Sequence, residues 1–170
     1  IGLQVAIRAK AFGMKILYFQ RNRNHNLESR YGIEFVPNLE ALLGTADFVS
    51  IHVPLTDQTY RLIGQKELDV MKTTAVLINT SRGPVVDQKA LLESLEKGVI
   101  AGAALDVFET EPINPSDPLL KLPNVVATPH LGSASIFTRN KMAVMAVENL
   151  RCGVLGLPMP HCVNLERLSA

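Results

Sequence analysis

Six short apolar runs, separated by stretches with helical spacing, constrain this chain more than any other feature. They are residues 15–19 (KILYF), 33–36 (IEFV), 47–53 (DFVSIHV), 75–79 (AVLIN), 100–107 (IAGAALDV) and 125–128 (VVAT). Between them, residues 3–12 place Leu3, Ala6, Ile7 and Ala11 on one helical face, with Gly13 as a stop. Further helices are expected over 27–31, from Asn38 to 43, over 66–71, and from the cap Asp87 to 97 with Gly98 as its stop. A long amphipathic helix is expected over 135–152. Residues 109–123 hold four prolines and read as loop. Strands that alternate with helices form a parallel sheet covered on both faces. The expected fold is therefore α/β, a doubly wound parallel sheet of Rossmann-like type. Run 15–19 should be a buried strand, and the small residues of 100–107 suit close helix packing. Ligands of such sheets sit beyond the carboxyl ends of the strands. Polar residues follow Phe19, Val53, Asn79, Val107 and Thr128, at those ends.

Composition decides what this sheet serves. With 47% hydrophobic and 19% charged residues, the chain can bury one real core and hardly a second. A net charge of +1 gives no electrostatic case for nucleic acid or an anionic membrane as partner. No apolar run nears the roughly 20 residues of a membrane span, and no signal-peptide pattern opens the chain. Cys152 and Cys162 fit neither a disulfide framework nor a zinc site, and no cluster has metal-ligand spacing, so no metal is expected. A reducing, cytoplasmic setting is the default. Residue 1 already reads as helix, with no strand or initiator Met before it, so a domain truncated at its N-terminus is expected.

A dinucleotide fold sets a glycine-rich turn between its first strand and first helix, where backbone N–H groups meet the pyrophosphate. Gly2 falls where the third glycine of that turn would lie, although a helix-packing glycine reads the same way. Gln20 lies 20 − 2 = 18 residues on, near the place of the acid that binds the adenosine ribose. Instead of an acid the stretch carries Arg21 and Arg23. Two arginines without a carboxylate attract a 2′-phosphate, so NADPH is expected over NADH. The alternative is a solvated basic loop.

Three segments carry the chemistry: residues 78–87 (INTSRGPVVD), 105–112 (LDVFETEP) and 128–133 (TPHLGS). In them the chain resembles the D-isomer-specific 2-hydroxyacid dehydrogenases, and within these the glyoxylate and hydroxypyruvate reductases. The resemblance runs in consistent order from residue 1 to about 160. It implies that Arg82, Glu111 and His130 are the catalytic set, spaced by 111 − 82 = 29 and 130 − 111 = 19 residues. An imidazole titrates near neutral pH, so His130 is the expected acid for reducing a 2-oxo acid. Glu111 would orient the imidazole, and Arg82 would bind the substrate carboxylate and polarise the carbonyl. Ser133 would add a polar contact to the substrate. Coenzyme contacts carried over by the resemblance are Val53, Pro54, Thr80, Asp106 and Gly132, beside Gly2, Arg21 and Arg23. It also implies a homodimer, and a division into residues 1–150, a coenzyme domain lacking its first strand, and 151–170, which return toward a substrate domain. Two other readings stand beside the reductase: an NAD(H)-binding corepressor-like interaction module, and a catalytically incomplete fragment.

Overall fold

The structure is a computed structural model and describes residues 1–164. It forms two compact units, Ile1–Pro129 and a second from His130 onward. The first unit contains α1 (Gly2–Ala11), β1 (Leu17–Tyr18), α2 (His25–Tyr31), β2 (Glu34–Phe35), α3 (Leu39–Thr45) and β3 (Phe48–Ile51). It continues through α4 (Gln65–Asp69), β4 (Val76–Asn79), α5 (Gln88–Glu96), β5 (Gly102–Leu105) and β6 (Val125–Ala127). Short 3-10 turns cover Gly83–Val85 and Pro118–Lys121. The second unit holds α6 (Ile136–Val154).

Local chemistry explains the helix starts. The Asn24, Asn38 and Asp87 side chains each accept the backbone N–H three residues on, at 3.0–3.1 Å, and so cap α2, α3 and α5. Ser135 does the same for α6. Gly32 closes α2 in the left-handed conformation, and Gly98 follows α5 with φ 66°, both places where a Cβ is costly.

Every strand pairing among the described residues is parallel. Strands β3-β4-β5-β6 form one sheet in that order, and β1-β2 form a separate pair. Parallel strands joined by helices put all their carboxyl ends on one edge, which is what concentrates function there. The fully buried core is Leu43, Leu68, Leu77, Leu91, Ile100 and Leu119, with Val85 beneath the loop that follows β4.

Four expectations change. The strands are shorter than their apolar runs, and β1 is half-buried rather than buried, since it pairs only with β2. The four-stranded sheet is not covered on both faces by the described residues: β3 alternates exposed and buried, with Phe48 55% exposed, and Val126 on β6 is 65% exposed. Gly102 meets the start of the neighbouring strand, since a Cβ there would lie 2.7 Å from the Asn124 carbonyl oxygen. Helix α6 is barely amphipathic. Only Cys152 is buried in it, and Phe137, Val144, Val147 and Leu150 are all more than 60% exposed. No helix among the described residues is long and apolar enough to cross a membrane.

Candidate active site

Strand β4 ends on Asn79, and this buried amide shapes everything that follows. Its Oδ1 accepts from the Ser81 backbone N–H and hydroxyl, each at 3.0 Å, while its Nδ2 donates to the Arg82 carbonyl at 3.0 Å. The side chain thus takes the place of a turn's own backbone bonds and fixes residues 79–82 as a tight loop. Arg82 is held through its backbone and a bond from Nη1 to the Ser81 carbonyl (2.7 Å), so its fork of donors extends from a rigid base on an exposed residue. Replacing Asn79 with alanine strands the Ser81 N–H and the Arg82 carbonyl, and is expected to cost about 1–3 kcal/mol. Urea unfolding would read this as a lower midpoint at unchanged slope. An unmoved midpoint would contradict it.

The next residue, Gly83, meets the second segment. A Cβ on Gly83 would sit 1.9 Å from both the carbonyl carbon and oxygen of Phe108 and 2.5 Å from the Glu109 nitrogen. The two loops therefore touch backbone to backbone. Gln88 and Glu109 tie them a second time: the Gln88 N–H donates to Glu109 Oε1 (3.3 Å), and the Glu109 N–H donates to Gln88 Oε1 (3.1 Å). Arg61 braces this pair through Asp87 (3.2 Å) and Glu109 (3.6 Å). Within the second loop, Glu111 Oε1 accepts from the Phe108 N–H at 3.0 Å. Arg82 and Glu111 thus rest on one jointed backbone.

An open cleft of about 430 Å³ lies at the ends of β3 and β4, lined by Ile1, His52, Val53, Pro54, Leu55, Thr80, Ser81 and Arg82. It brings together the expected residues Val53, Pro54, Thr80 and Arg82. Gly2 borders it at the start of α1: a Cβ there would press on the His52 side chain at 3.2 Å, so the glycine lets the helix approach the end of β3. Asp106 is buried past the end of β5, where it accepts from the Thr128 hydroxyl (2.5 Å) and its N–H donates to the Asn79 carbonyl (3.0 Å). The carboxyl ends of β4, β5 and β6 are joined in this way.

His52 is a cleft residue that sequence reasoning leaves unassigned. Its Nε2 lies 2.9 Å from the Ser50 hydroxyl, and partial burial lowers its pKa. The period-two alternation of residues 50 and 52 on one strand face is the signal that could have marked it. Gln88 and Arg61 escape a linear reading as well, and so do the partners of Asn79 and Gly83, two residues that the motif shows without their roles.

The basic loop differs from expectation. Arg23 does have a carboxylate, that of Glu28 from the first turn of α2. Arg23 Nε and Nη2 donate to it at 2.9 and 2.7 Å. A count along the chain from Gly2 misses this acid because the helix folds it back. Arg21 meets the Gln58 amide (3.3 Å), in the loop that starts at Pro54.

In the second unit His130 is exposed and holds φ 54°, an uncommon left-handed conformation for a residue with a Cβ. Such conformations persist only where the surroundings enforce them, and they gather at functional sites. Gly132 and Ser133 follow it, both exposed, in the turn that leads to the α6 cap.

Known proteins share this architecture. Residues 1–132 match the family model described as D-isomer specific 2-hydroxyacid dehydrogenase, NAD binding domain. A glyoxylate reductase of Korarchaeum cryptofilum is 58% identical over 166 residues, covering 98% of this chain and 50% of that protein. The crystal structure of an NADPH-dependent glyoxylate/hydroxypyruvate reductase from Sinorhizobium meliloti, in complex with NADP and malonate, matches at TM-score 0.83 and 41% identity, over 89% of this chain and 46% of that one. A Thermus thermophilus protein matches at TM-score 0.88 and 47% identity, over 96% of this chain and 50% of that one. The chain thus spans about half the length of the relatives it matches. On the family match and the parallel-sheet site together, the chain belongs to the D-isomer specific 2-hydroxyacid dehydrogenases and carries their NAD-binding domain.

Proposed function

We propose that the protein reduces a small 2-oxo acid of the glyoxylate or hydroxypyruvate type to the D-2-hydroxy acid, with NADPH as preferred coenzyme and NADH as a weaker one. The observation that carries this reading is the cleft at the ends of β3 and β4, whose lining includes Val53, Pro54, Thr80 and Arg82. The cleft fits a dinucleotide: it is open, it lies at the strand ends, and Gly2 presents no side chain at the N-terminus of α1. Residues 1–150 form the coenzyme-binding part, and 151–170 return toward a substrate domain; of these, 165–170 lie outside the described residues.

A bound nicotinamide supplies the hydride. The chain's own residues then have distinct tasks. Arg82 binds the substrate carboxylate through paired donors and polarises the carbonyl. His130 gives the carbonyl oxygen its proton, and Glu111 orients the imidazole. Ser133 adds a polar contact to the substrate. Asp106 and Gly132 would hold the coenzyme at its nicotinamide end, and Thr80 and Pro54 would contact the ribose through their backbone. Arg21 reaches the loop that starts at Pro54, and it would hold the adenosine phosphate, with Arg23 in a second position. Cys152 and Cys162 are free thiols, which suits a reducing cytoplasm. Two copies pair through this domain as a homodimer.

The test is a spectrophotometric one on the full-length protein. Adding hydroxypyruvate or glyoxylate is expected to drive NADPH oxidation at a higher kcat/KM than NADH oxidation. Failure of both coenzymes would overturn the reductase reading, and a higher kcat/KM with NADH would overturn only the NADPH preference.

A further inference from the structure

The loop that follows β1 holds a small charged assembly outside the catalytic set. The Glu28 carboxylate is engaged from two sides: by Arg23 Nε and Nη2 at 2.9 and 2.7 Å, and by the Tyr18 hydroxyl at 2.7 Å. The Tyr18 oxygen in turn accepts the Asn24 N–H (3.0 Å), which ties the carboxylate to the loop backbone. The Arg23 guanidinium lies over the Phe35 ring, 5.4 Å from its centre, and Tyr18 packs on that ring at 5.3 Å. The Glu28 side chain is 16% exposed, while that of Arg23 is 50% exposed. The hydrogen bonds from Arg23 and then Tyr18 hold the Glu28 carboxyl down to about 2, so it stays ionised at any working pH. Arg21, by contrast, has no carboxylate within ion-pair distance among the described residues. It reaches across to Gln58, in the loop that begins at the cleft.

We infer that Glu28 sets coenzyme selectivity by competing with the adenosine 2′-phosphate for Arg23, an inference that rests on reading residues 20–24 as the adenosine side of the coenzyme site. A phosphate monoester carries nearly two negative charges and binds a guanidinium best through two parallel donors. Glu28 already holds one parallel pair of those donors, Nε and Nη2, and its negative charge offsets that of the guanidinium, so the N–H groups that remain attract a second anion less. Its charge also repels any second anion brought to the same arginine. A coenzyme that lacks the 2′-phosphate meets no such conflict. The Arg23–Glu28 pair therefore works as a brake on phosphate recognition. Arg21 is the guanidinium that acts unopposed, and NADPH preference is held below what two free arginines would give.

Calorimetric titration of NADPH and NADH into the full-length protein tests this without any turnover. Glu28→Gln keeps the side chain's size and its acceptor for Tyr18 while removing the charge. It is expected to tighten NADPH binding roughly tenfold, the effect of one further charge-assisted hydrogen bond, and to leave NADH within about twofold. Glu28→Ala should move the ratio in the same direction, which guards against an incidental effect of the amide. Adding Arg23→Ala to Glu28→Gln should abolish the gain. Unchanged NADPH binding in Glu28→Gln would overturn the inference, and so would weaker binding, which would mean that Glu28 holds Arg23 in its binding pose. A gain that survives in the double variant would overturn it too. If the wild type binds NADH more tightly but Glu28→Gln still shifts the ratio toward NADPH, the preference proposed above falls and the brake stands. If neither coenzyme binds, both fall.

Discussion

Replacing His130 with glutamine in the full-length protein is expected to lower turnover by about 10²–10⁴-fold, the usual worth of a positioned general acid, while coenzyme affinity stays within about twofold. The reduction needs a proton at the carbonyl oxygen, and a side-chain amide cannot supply one. The backbone complicates the experiment in a useful way. His130 holds φ 54°, where a Cβ is strained, so any substitution also tests the turn. Asparagine adopts this conformation more readily than glutamine does. His130→Asn therefore preserves the turn and still removes the imidazole. Both variants should lose turnover to a similar extent, with the His130→Asn melting temperature near the wild type and that of His130→Gln no higher. If His130→Asn retained most of the activity, the proton-donor role would be lost, and the left-handed turn would be the feature that matters.

Gly83→Ala should be the most damaging single methyl group in the first unit. The added carbon would overlap Phe108 and Glu109 backbone atoms at 1.9–2.5 Å, and backbone cannot swing aside as a flexible side chain can. Overpacking of well-ordered structure costs about 1–3 kcal/mol and sometimes more; this overlap belongs at the upper end. Thermal unfolding should shift down by roughly 10 °C at about 2–4 °C per kcal/mol. Whatever protein survives should bind oxo acid poorly, since the same joint carries Arg82 and Glu111. Gly98→Ala is the control. Gly98 also needs special backbone freedom, with φ 66°, but nothing lies within 4 Å of its Cβ position. It should cost about 1–2 kcal/mol, the strain of a left-handed residue alone. Equal melting shifts for the two variants would mean that the loop contact at Gly83 is looser than these distances require.

The two sites also separate what a linear reading can and cannot reach. The run from Asn79 to Gly83 is visible as a motif, and it points to Arg82. It does not reveal why asparagine and glycine flank the arginine, because their partners, the Arg82 carbonyl and the Phe108 backbone, are set by how the loops fold together. The Gln88–Glu109 pair is hidden for the same reason, being 21 residues apart in the chain. Helix α6 shows a different limit. Its start at Ser135 is legible from the cap, but its apolar residues do not form a buried stripe among the described residues.

The basic loop shows the limit most clearly. Arg21 and Arg23 look alike in the sequence, two residues apart with no acid beside them. In the structure one is paired to Glu28 and the other reaches toward the cleft loop. Period and near neighbours are enough to dictate the alternation of strands and helices, the caps, and which polar residues end each strand. All of these are present in the linear chain. Which charges neutralise one another, and where two backbones touch, emerge only when the elements come together. Electrostatic pairing and steric contact act over a few ångströms of space, and a helix turn or a loop joint can close or open that distance without any change in the local sequence.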